Sequence, residues 1–504
     1  MSPAKTSKAS LIMVYHREPW EEHTVHGKAQ WRDHRSPNGI IPTLRNVFRH
    51  NDQGLWVAWK KCKDPAQPDF QQDVTVDHNG VHVDVHRVPL TTEQVNLFYY
   101  RFSKEALWPV IFAFPGKLEV DESHWRNYVD VNRRFAEAVA ARAAPDARIW
   151  VHDYNLWLVP GMLRQLLPHA TIGFFHHTPF PAADVFAILP WRDQILASLL
   201  DCDLVGFHIP RYQENFVDAA CNLAGARRVK TADVDDRFLT TGGALTTSRV
   251  TSVIEHPAHG QCQLGSFPVG VDVGAIDRIV ASFGHRRRAD AIRAEIGHRR
   301  VILSIERLDY IKGPVQKLLA YEQLLEHAPE YREKVVFVNI LTPPADQIAA
   351  YRSVRKEVDL IVGRINGRFA TLSWTPVRYF YKPLPYEDVL AWYDASSIAW
   401  ITPLRDGLNL VAKEFVATAR DRAMTLILSE FAGAQVELKH VIAANPYAPA
   451  SMDAALRKAL EMPDDEQRER MAAMDKIVRG HDVAAWADEF LTAMTPRHEL
   501  RRSA

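Results

Sequence analysis

The stretch VILSIERLDYIKG, residues 301–313, joins a short apolar run to a charged segment, and a helical pattern follows it directly. The run VILSI at 301–305 has the length and composition of a buried strand. Arg307 and Lys312 come after it. Because charged side chains at the end of a buried strand are costly to desolvate unless they are paired, the stretch predicts a βα unit whose loop provides partners for two cations.

The same alternation of short apolar runs and longer amphipathic segments recurs along the chain. Buried strands are predicted at residues 148–151, 171–176, 203–208, 301–305, 335–340, 397–402 and 425–430. Helices are predicted at residues 154–167, at 192–200, from about 212, at 314–327 and after Asp406. Strands that alternate with helices are typical of βαβ units and parallel sheets.

Two such series predict an α/β protein with two Rossmann-like, doubly wound domains that face each other across a cleft. A stretch rich in Gly, Thr and Ser at 241–252 separates the two series, and they join near 267–272. The predicted domains are residues 1–268 and 269–504, and we leave open that the last helix packs back on the first domain. Open α/β sheets bind ligands at the carboxyl ends of their strands, which is where the charged motifs fall.

Length and charge limit the classes of function. A chain of 504 residues is too long for one compact core. Its 61 basic and 61 acidic side chains cancel, so overall charge gives no reason to expect nucleic acid or an anionic membrane as a partner. The apolar run at residues 11–14 is too short to span a membrane. The four cysteines form no C-x-x-C pair and suit a reducing compartment, so we expect a cytoplasmic protein.

The motif TPLRDGLNLVAKE, residues 402–414, lies between a predicted strand and a predicted helix. Gly407 permits close backbone approach, and the amides that follow it lie at a helix N-terminus, where phosphate oxygens bind readily. Glu414 comes two turns into the helix, within reach of a sugar hydroxyl. The alternative is that Asp406 simply caps an ordinary amphipathic helix.

The motif ERLDYIKG offers the guanidinium of Arg307 and the ammonium of Lys312 on one loop. Arginine suits bidentate phosphate binding, and lysine supplies a point charge. The alternative is a set of surface salt bridges with Glu306 and Asp309, which would contribute little. Two such loops in one domain favour a clamp for a diphosphate.

The first half carries polar residues at two predicted strand ends, WVHDYNLW at 150–157 and FFHHTPFP at 174–181. Asp153 is suited to accept hydrogen bonds from sugar hydroxyls. His176 and His177 point to opposite faces of an extended chain and have no H-x-x-x-H or C-x-x-C partner, so we expect no metal site. Four aromatic residues fit either sugar stacking or the core: Trp56, Trp59, Tyr99 and Trp108.

Together these motifs resemble those of the trehalose-phosphate-synthase-like glycosyltransferases. The motifs that carry the resemblance are HDYNL, HHTPFP, ERLDYIKG, GRINGRF at 363–369 and TPLRDGLNLVAKE. The resemblance extends over residues 10–495. It implies the GT-B fold, an N-terminal domain that binds the acceptor and a C-terminal domain that binds a nucleotide sugar. It also implies glucose transfer with retention of configuration, with no bound metal and no cofactor besides the nucleotide-sugar co-substrate.

The resemblance further implies roles for individual residues. Those expected to bind the donor are Gly39, His177, Arg307, Lys312, Asp406, Gly407, Leu408, Asn409, Leu410, Val411 and Glu414. Those expected to line the acceptor site are Arg17, Trp59, Tyr99, Trp108 and Asp153. Those expected to act in catalysis are Arg307, Lys312, Asp153 and His177.

One departure from the family pattern bears on the acceptor. Ala345, in ILTPPADQIAAY at 340–351, stands where relatives that use glucose 6-phosphate have an arginine. A charge-assisted bond of this kind is worth roughly 1.5–3 kcal/mol. The segment YKPLPYEDVL at 381–390 also lacks a basic residue of the family pattern. The two departures together suggest a different acceptor and, as a further hypothesis, a different base on the nucleotide of the donor.

The motifs VYHREP, SPNGIIPTLR and WVAWK most resemble the branch of the family that transfers glucose from ADP-glucose to sn-glycerol 3-phosphate, in osmolyte synthesis. Arg17 is retained for the acceptor, with Lys60 or Lys104 as further candidates to contact its phosphate. A separate phosphatase would act on the product, and the oligomeric state is left open. The alternatives are glucose 6-phosphate as the acceptor, which would make trehalose 6-phosphate, or a non-catalytic sensor of sugar nucleotides.

Overall fold

The computed structural model of the chain describes residues 8–25, 28–34, 39–49, 54–78, 80–238, 243–344 and 348–496. The described residues form two compact units. The first draws on the ranges Met1–Asp235, Thr247–Pro268 and Ala484–Ala504, and the second on Asp236–Thr246 and Val269–Val483. Among the described residues, 236–238, 243–246 and 484–496 therefore belong to a different unit from the one that the predicted boundary at 268/269 gives them, and for the last helix the sequence left this open.

The first unit is built on a large sheet. Its strands are β1 (Ala9–Val14), β2 (Glu21–Val25), β3 (Lys28–Arg32), β4 (Gly54–Cys62), β5 (Asp73–His78), β6 (Val81–Thr91), β7 (Ala143–His152), β8 (Thr171–Phe175), β9 (Leu204–Phe207), β10 (Arg227–Asp233), β11 (Arg249–His256) and β12 (Gly260–Ser266). Strands β2 and β3 pair with each other, and the others follow the order β10-β11-β12-β9-β8-β7-β1-β4-β6-β5. The strands from β12 to β6 in this order are parallel, and the edge pairs are antiparallel.

Helices cover the sheet of the first unit. They are α1 (Ile40–Val47), α2 (Thr92–Val95), α3 (Trp108–Ile111), α4 (Glu122–Ala140), α5 (Val159–Leu166), α6 (Ala183–Phe186), α7 (Arg192–Leu200) and α8 (Pro210–Ala224). The helix predicted at 154–167 is shorter than expected: α5 begins at Val159 with Pro160 in its first turn, and a separate 3₁₀ turn, Tyr154–Leu156, precedes it. Between α2 and α3 the chain forms a π-helix, Asn96–Leu107.

The second unit has a six-stranded parallel sheet. Its strands are β13 (Arg300–Arg307), β14 (Val335–Thr342), β15 (Val377–Tyr381), β16 (Ile398–Ile401), β17 (Thr425–Ser429) and β18 (Ile442–Ala444). Their order is β15-β14-β13-β16-β17-β18, which is the doubly wound order. The prediction of Rossmann-like, doubly wound α/β folding is thus confirmed. Strand β13 extends to Arg307, beyond the predicted 301–305, because β14 pairs with it as far as Thr342.

The helices of the second unit alternate with its strands. They are α9 (Val273–Val280), α10 (Phe283–Ile296), α11 (Pro314–His327), α12 (Ala349–Phe369), α13 (Tyr386–Ala395), α14 (Leu410–Ala419), α15 (Pro449–Glu461) and α16 (Asp464–Gly480). The core between these helices and the sheet includes Ile302, Phe337 and Trp400, each buried. Across the described parts of both units, every helix is too short or too polar to cross a membrane.

The order in which strands are added to the second sheet changes sides between β13 and β16. The first three strands are added outward from β13 to β15, and β16 then lies on the other side of β13. Ligands of open α/β sheets bind outside the carboxyl ends of the strands at such a switch point. The two charged motifs of the second half follow β13 and β16, so both reach this position.

A last helix, α17 (Val483–Ala493), packs on the sheet of the first unit. Its Phe490 stacks on Trp150 of β7, with ring centroids 4.5 Å apart and planes 7° apart. Two glycines leave room for this segment. A Cβ atom at Gly206 of β9 would lie 2.6 Å from a ring carbon of Phe490, and one at Gly173 of β8 would lie 2.6 Å from the sulfur of Met494. A side chain at either position would therefore require Phe490 or Met494 to shift.

Substituting Gly206 tests this packing. Gly206→Ala places a methyl group within 2.8 Å of both Phe490 and Phe175, and overpacking of this kind typically costs about 1–3 kcal/mol. We expect a lower free energy of unfolding in urea. The matched control is Gly116→Ala, where the new Cβ atom meets no described heavy atom within 4 Å. Equal stability of the two variants would contradict the packing argument.

Candidate active site

A partly buried ion pair connects the two charged loops of the second unit. The ammonium of Lys312, after β13, lies 2.6 Å from Oδ2 of Asp406, after β16, although the two residues are 94 positions apart. The Nδ2 atom of Asn409 donates to the same carboxylate oxygen at 2.9 Å. The side chains predicted to contact the phosphates and the sugar of a donor are thus brought together at the switch point.

Backbone contacts fix the two loops against each other. The amide of Leu404 donates to the carbonyl of Ile311 at 2.7 Å. Gly313, at φ +66°, comes so close to the second loop that a Cβ atom there would lie 2.9 Å from the carbonyl oxygen of Thr402. Only glycine adopts this backbone conformation without strain and also permits the approach. The position of Lys312 is therefore set by main-chain contacts on both sides.

Arg307 ends strand β13 beside a buried carboxylate. Its guanidinium donates to Oδ2 of Asp309 at 2.8 Å, and the hydroxyl of Tyr351 donates to the same oxygen at 3.0 Å. The salt bridge between Arg307 and Asp309 that the sequence allows does form. Glu306, however, pairs with Lys317 at 2.6 Å inside the unit, so Lys312 is not part of a local salt-bridge set.

The start of α14 differs from the simple capping alternative. Asn409, at φ +85°, is the N-cap, and its side-chain oxygen accepts a hydrogen bond from the amide of Ala412 at 3.0 Å. Asp406 lies outside the helix and is therefore available to Lys312. Gly407 and the backbone of Leu408 precede the cap, and Leu410 and Val411 form the first turn, where amides lack partners within the helix. These amides can bind anionic oxygens.

Glu414 lies further along α14, facing two tyrosines of α13. The hydroxyl of Tyr393 lies 3.5 Å from Oε2 of Glu414. Burial raises the pKa of Glu414 to about 7, and hydrogen bonds from Tyr386 and Tyr393 oppose this rise. The carboxyl group therefore titrates near neutral pH, and its ionised form is the better acceptor for sugar hydroxyls.

Asp153 follows β7 in the first unit and has a strained backbone. Its φ is +68° and ψ is 163°, which costs a residue with a side chain about 1–3 kcal/mol. The side chain is buried and accepts a hydrogen bond from the hydroxyl of Thr178 at 3.2 Å. Burial raises the pKa of Asp153 to about 6, against hydrogen bonds from the backbone of Tyr154 and His177 and the charge of Lys104.

The histidines after β8 separate as expected. His176 is fully buried and stacks on Phe207, with ring centroids 5.1 Å apart. His177 turns the other way, and its Nε2 atom lies 3.1 Å from Nδ1 of His152. Burial holds the pKa of both His152 and His177 well below the usual range, so the pair is neutral and one ring donates to the other. In the described part of the chain, no group of three His, Cys, Asp or Glu side chains suits a metal ion.

The aromatic candidates divide between core and surface. Trp56 is fully buried in the core, whereas Trp59 and Tyr99 are half-buried. Trp108 is 6% exposed and carries the ammonium of Lys104 on its ring, with Nζ 3.2 Å from the ring centroid. The sequence offers Lys104 only as a candidate, as a lysine among the aromatic residues at 98–108, because a π-helix has no recognisable apolar period.

Three other predicted residues have less geometric definition. The carbonyl of Arg17 accepts from Nε1 of Trp56 at 2.9 Å, beyond the end of β1. The carbonyl of Gly39, just before α1, accepts from the hydroxyl of Thr43 at 2.7 Å. Ala345 lies outside the described residues. The donor and acceptor roles assigned to individual side chains remain predictions.

Comparisons with known proteins identify the family. A model of glycosyltransferase family 20 matches residues 9–495. The chain is 46% identical over 483 residues to glucosylglycerol-phosphate synthase from Synechocystis sp., which is 96% of this chain and 97% of that protein. It is 37% identical over 496 residues to trehalose-6-phosphate synthase from Mycobacterium bovis, which is 97% of this chain and 95% of that protein.

A solved structure agrees with the sequence comparisons. The crystal structure of a UDP-forming α,α-trehalose-phosphate synthase from Burkholderia xenovorans, in complex with glucose-6-phosphate, matches with a TM-score of 0.83 at 29% identity. The match covers 96% of this chain and 99% of that chain. The predicted resemblance and the GT-B fold class are thus confirmed. The chain belongs to glycosyltransferase family 20, and it is a glycosyltransferase.

Proposed function

We propose that the protein transfers glucose from ADP-glucose to sn-glycerol 3-phosphate with retention of configuration. The observation that carries the proposal is the 46% identity, over nearly the whole chain, to a glucosylglycerol-phosphate synthase, compared with 37% to a trehalose-6-phosphate synthase. Ala345, in place of an arginine, supports the same choice of acceptor. The product would be a precursor of the osmolyte glucosylglycerol, and a separate phosphatase would remove its phosphate.

The geometry of the second unit supports a donor site at the β13–β16 switch point. Arg307 and Lys312 would contact the diphosphate, together with amides from the first turn of α14. Asp406 would accept hydrogen bonds from the glucose, and Glu414 from the ribose. Before the donor binds, Asp406 balances the charge of Lys312. The diphosphate would then bind to cations that are already in position, which reduces reorganisation during the reaction.

The proposed reaction is a substitution on one face of the sugar. The bond from C1 of glucose to the diphosphate oxygen breaks, and a bond from C1 to the acceptor hydroxyl oxygen forms on the same face. The acceptor proton passes to the leaving diphosphate oxygen. In this mechanism the protein stabilises the negative charge that develops on the diphosphate. The proposal includes no metal and no cofactor besides the nucleotide sugar. The four cysteines form no disulfide in the described part of the chain, which is consistent with a cytoplasmic location.

Glucose 6-phosphate is the second candidate acceptor. The match to the Burkholderia xenovorans enzyme, whose crystal contains glucose-6-phosphate, favours it. Under this alternative the product would be trehalose 6-phosphate. The two activities differ in the acceptor, and the donor nucleotide is tested at the same time, so parallel assays use both acceptors with both ADP-glucose and UDP-glucose.

We expect kcat/KM with sn-glycerol 3-phosphate to exceed that with glucose 6-phosphate by at least about tenfold, the factor that one lost contact of about 1.5 kcal/mol gives.

Ala345→Arg should raise kcat/KM for glucose 6-phosphate by about tenfold to a hundredfold, because it restores a charge-assisted phosphate contact. Coupled detection of released nucleoside diphosphate measures both values. Preferred use of glucose 6-phosphate by the unmodified protein would overturn the proposal.

Lys312→Met removes the ammonium from the proposed diphosphate site and leaves Asp406 without its 2.6 Å partner. We expect kcat/KM for ADP-glucose to fall by about 10²–10³-fold, as for other preorganised electrostatic groups. The control is Lys334→Met, a change at an exposed lysine of the same unit. Equal activity of the two variants would rule out a diphosphate contact for Lys312.

The pKa of Glu414, raised by burial to about 7, predicts a pH dependence of donor binding. The carboxylate accepts ribose hydroxyls only when ionised, so affinity should be full above this pKa and decline as pH falls through it. From pH 8 to pH 6 the Kd of ADP-glucose should rise about tenfold. Calorimetric titration with ADP-glucose in the absence of acceptor measures this Kd. Glu414→Gln should bind more weakly at pH 8 and show no such dependence; the same slope in this variant would refute the assignment.

A further inference from the structure

A buried lysine of the second unit contacts the turn that carries Lys312. This residue, Lys317, lies one turn into α11, and its side chain is fully buried. Lysine is almost never fully buried in a folded protein unless its charge is paired. The proposed reaction assigns Lys317 no contact with a substrate, so the reason for its burial must lie in its protein partners.

The ammonium of Lys317 has two partners, both within the second unit. It donates to Oε2 of Glu306, near the end of β13, at 2.6 Å. It also donates to the backbone carbonyl of Lys312 at 3.3 Å. One ammonium thus connects the end of the strand to the last residue of the turn that follows it.

Stability alone gives a poor reason for this ion pair. The side chains of Lys317 and Glu306 are 0% and 8% exposed. The other carboxylate oxygen of Glu306, Oε1, is buried and has no hydrogen-bond partner among the described residues. Apolar side chains of similar volume often stabilise a core as well as such a pair does, because both charges must be removed from water. The contact with Lys312 is therefore the more informative one.

That contact restricts the backbone of the turn. Residues Tyr310–Lys312 form a single 3₁₀ turn, which supplies few hydrogen bonds of its own. The carbonyl of Ile311 accepts from the amide of Leu404 at 2.7 Å, and the next carbonyl, that of Lys312, accepts from Lys317. Two successive peptide groups are thus held by two different elements, the loop after β16 and helix α11. The direction in which the Lys312 side chain leaves the backbone is restricted accordingly.

Position matters for Lys312 because its side chain is long and flexible. In the proposed site its ammonium must lie at the donor diphosphate, and before the donor binds it is paired with Asp406 at 2.6 Å. A displacement of about 1 Å in a group that acts on the reacting atoms can lower a rate by about 10²-fold. A backbone contact that fixes Lys312 therefore affects the reaction without touching a substrate.

Glu306 makes a second cation tolerable so close to Lys312. Burial lowers the pKa of Lys317, and the positive charge of Lys312 lowers it further, whereas Glu306 acts in the opposite direction. The carboxylate thus opposes loss of the proton from Lys317 and reduces the repulsion between the two ammonium groups. It also holds the Lys317 ammonium within reach of the Lys312 carbonyl.

We propose that Lys317 and Glu306 are positioning residues for the proposed glucose transfer. The ammonium of Lys317, held by Glu306, fixes the carbonyl of Lys312 so that the Lys312 ammonium meets the donor diphosphate. This inference rests on the diphosphate contact proposed for Lys312. In this assignment Lys317 and Glu306 act only through Lys312.

A double-mutant cycle tests the inference. Lys317→Met keeps a side chain of similar length, and the Glu306 left behind can take up a proton, as buried carboxyl groups do. We expect kcat/KM for ADP-glucose, with sn-glycerol 3-phosphate as acceptor, to fall about tenfold to a hundredfold, mainly through kcat. When Lys312→Met is already present, adding Lys317→Met should change kcat/KM by less than about twofold, because the effect passes through Lys312.

Two results of the cycle overturn the inference. One is a Lys317→Met variant with the kcat/KM of the unmodified protein. The other is additive losses from the Lys312 and Lys317 changes. A purely structural role of Lys317 gives additive losses, since a general loss of stability does not depend on the ammonium of Lys312.

Arg332→Met is the matched control. The Nε atom of Arg332 donates to the carbonyl of Leu325 at 2.8 Å, which is a cation-to-carbonyl contact in the last turn of the same helix, α11. We expect its kcat/KM to stay within about twofold of the unmodified value. A loss equal to that of Lys317→Met would indicate a general effect of α11 and would overturn the inference.

A variant without either charge protects the test against loss of folding. Glu306→Gln combined with Lys317→Met leaves no buried charge unpaired, so the core should tolerate it. Thermal unfolding confirms that each variant is folded. We expect the combined variant to lose as much kcat/KM as Lys317→Met alone. A folded combined variant with unmodified activity overturns the inference.

Failure of the proposed function gives a different pattern. Full activity of Lys312→Met would refute the diphosphate contact and the inference together, whereas loss in Lys312→Met but not in Lys317→Met refutes the inference alone. If the unmodified protein prefers another acceptor or nucleotide, the cycle is measured with the preferred substrates. If it transfers glucose to neither acceptor, the proposed function is wrong. Calorimetric titration with ADP and UDP then replaces the rates, and an unchanged Kd in Lys317→Met overturns the inference.

Discussion

The ion pair between Lys312 and Asp406 is the interaction on which the site of the second unit depends. It exists because β13 and β16 are neighbours in the sheet, although the chain builds two further strands between them. The hydrogen bond from Leu404 to Ile311 and the close approach of Gly313 place the two loops in contact. Without this strand order, the cations of one motif and the helix amides of the other would not share an edge.

The sequence predicts this arrangement in part. Alternating apolar runs identify β13, β14, β16 and β17, and the charged residues after them indicate the binding edge. The partner of Lys312 could not be predicted from the motif, because Glu306 and Asp309 are nearer along the chain. Glu306 instead forms a salt bridge with Lys317, one turn into α11. Such pairing depends on strand order and helix phase, which the period of apolar residues does not specify.

The missed elements have physical reasons of their own. Strand β18 has three residues and β15 is half-buried, so neither has a strong apolar signal. Asn409 is the N-cap of α14, and asparagine is one of the few residues besides glycine that tolerate its positive φ. The position of Lys104 in the first unit depends on the π-helix Asn96–Leu107. Hydrogen bonds in a π-helix join residues i and i+5, so its apolar residues do not recur at the familiar helical spacing. Local geometry of this kind follows from packing.

The glycines beneath α17 have a consequence for biosynthesis. Gly173 and Gly206 leave a bare strip on the first sheet that Phe490 and Met494 fill. In the order of translation, α17 comes after the whole of the second unit. The packing of the first unit is therefore completed only when α17 has been synthesised, hundreds of residues later. Until then Trp150 and Phe175 are not covered by this helix. A nascent chain with such apolar surface is a natural client for chaperones.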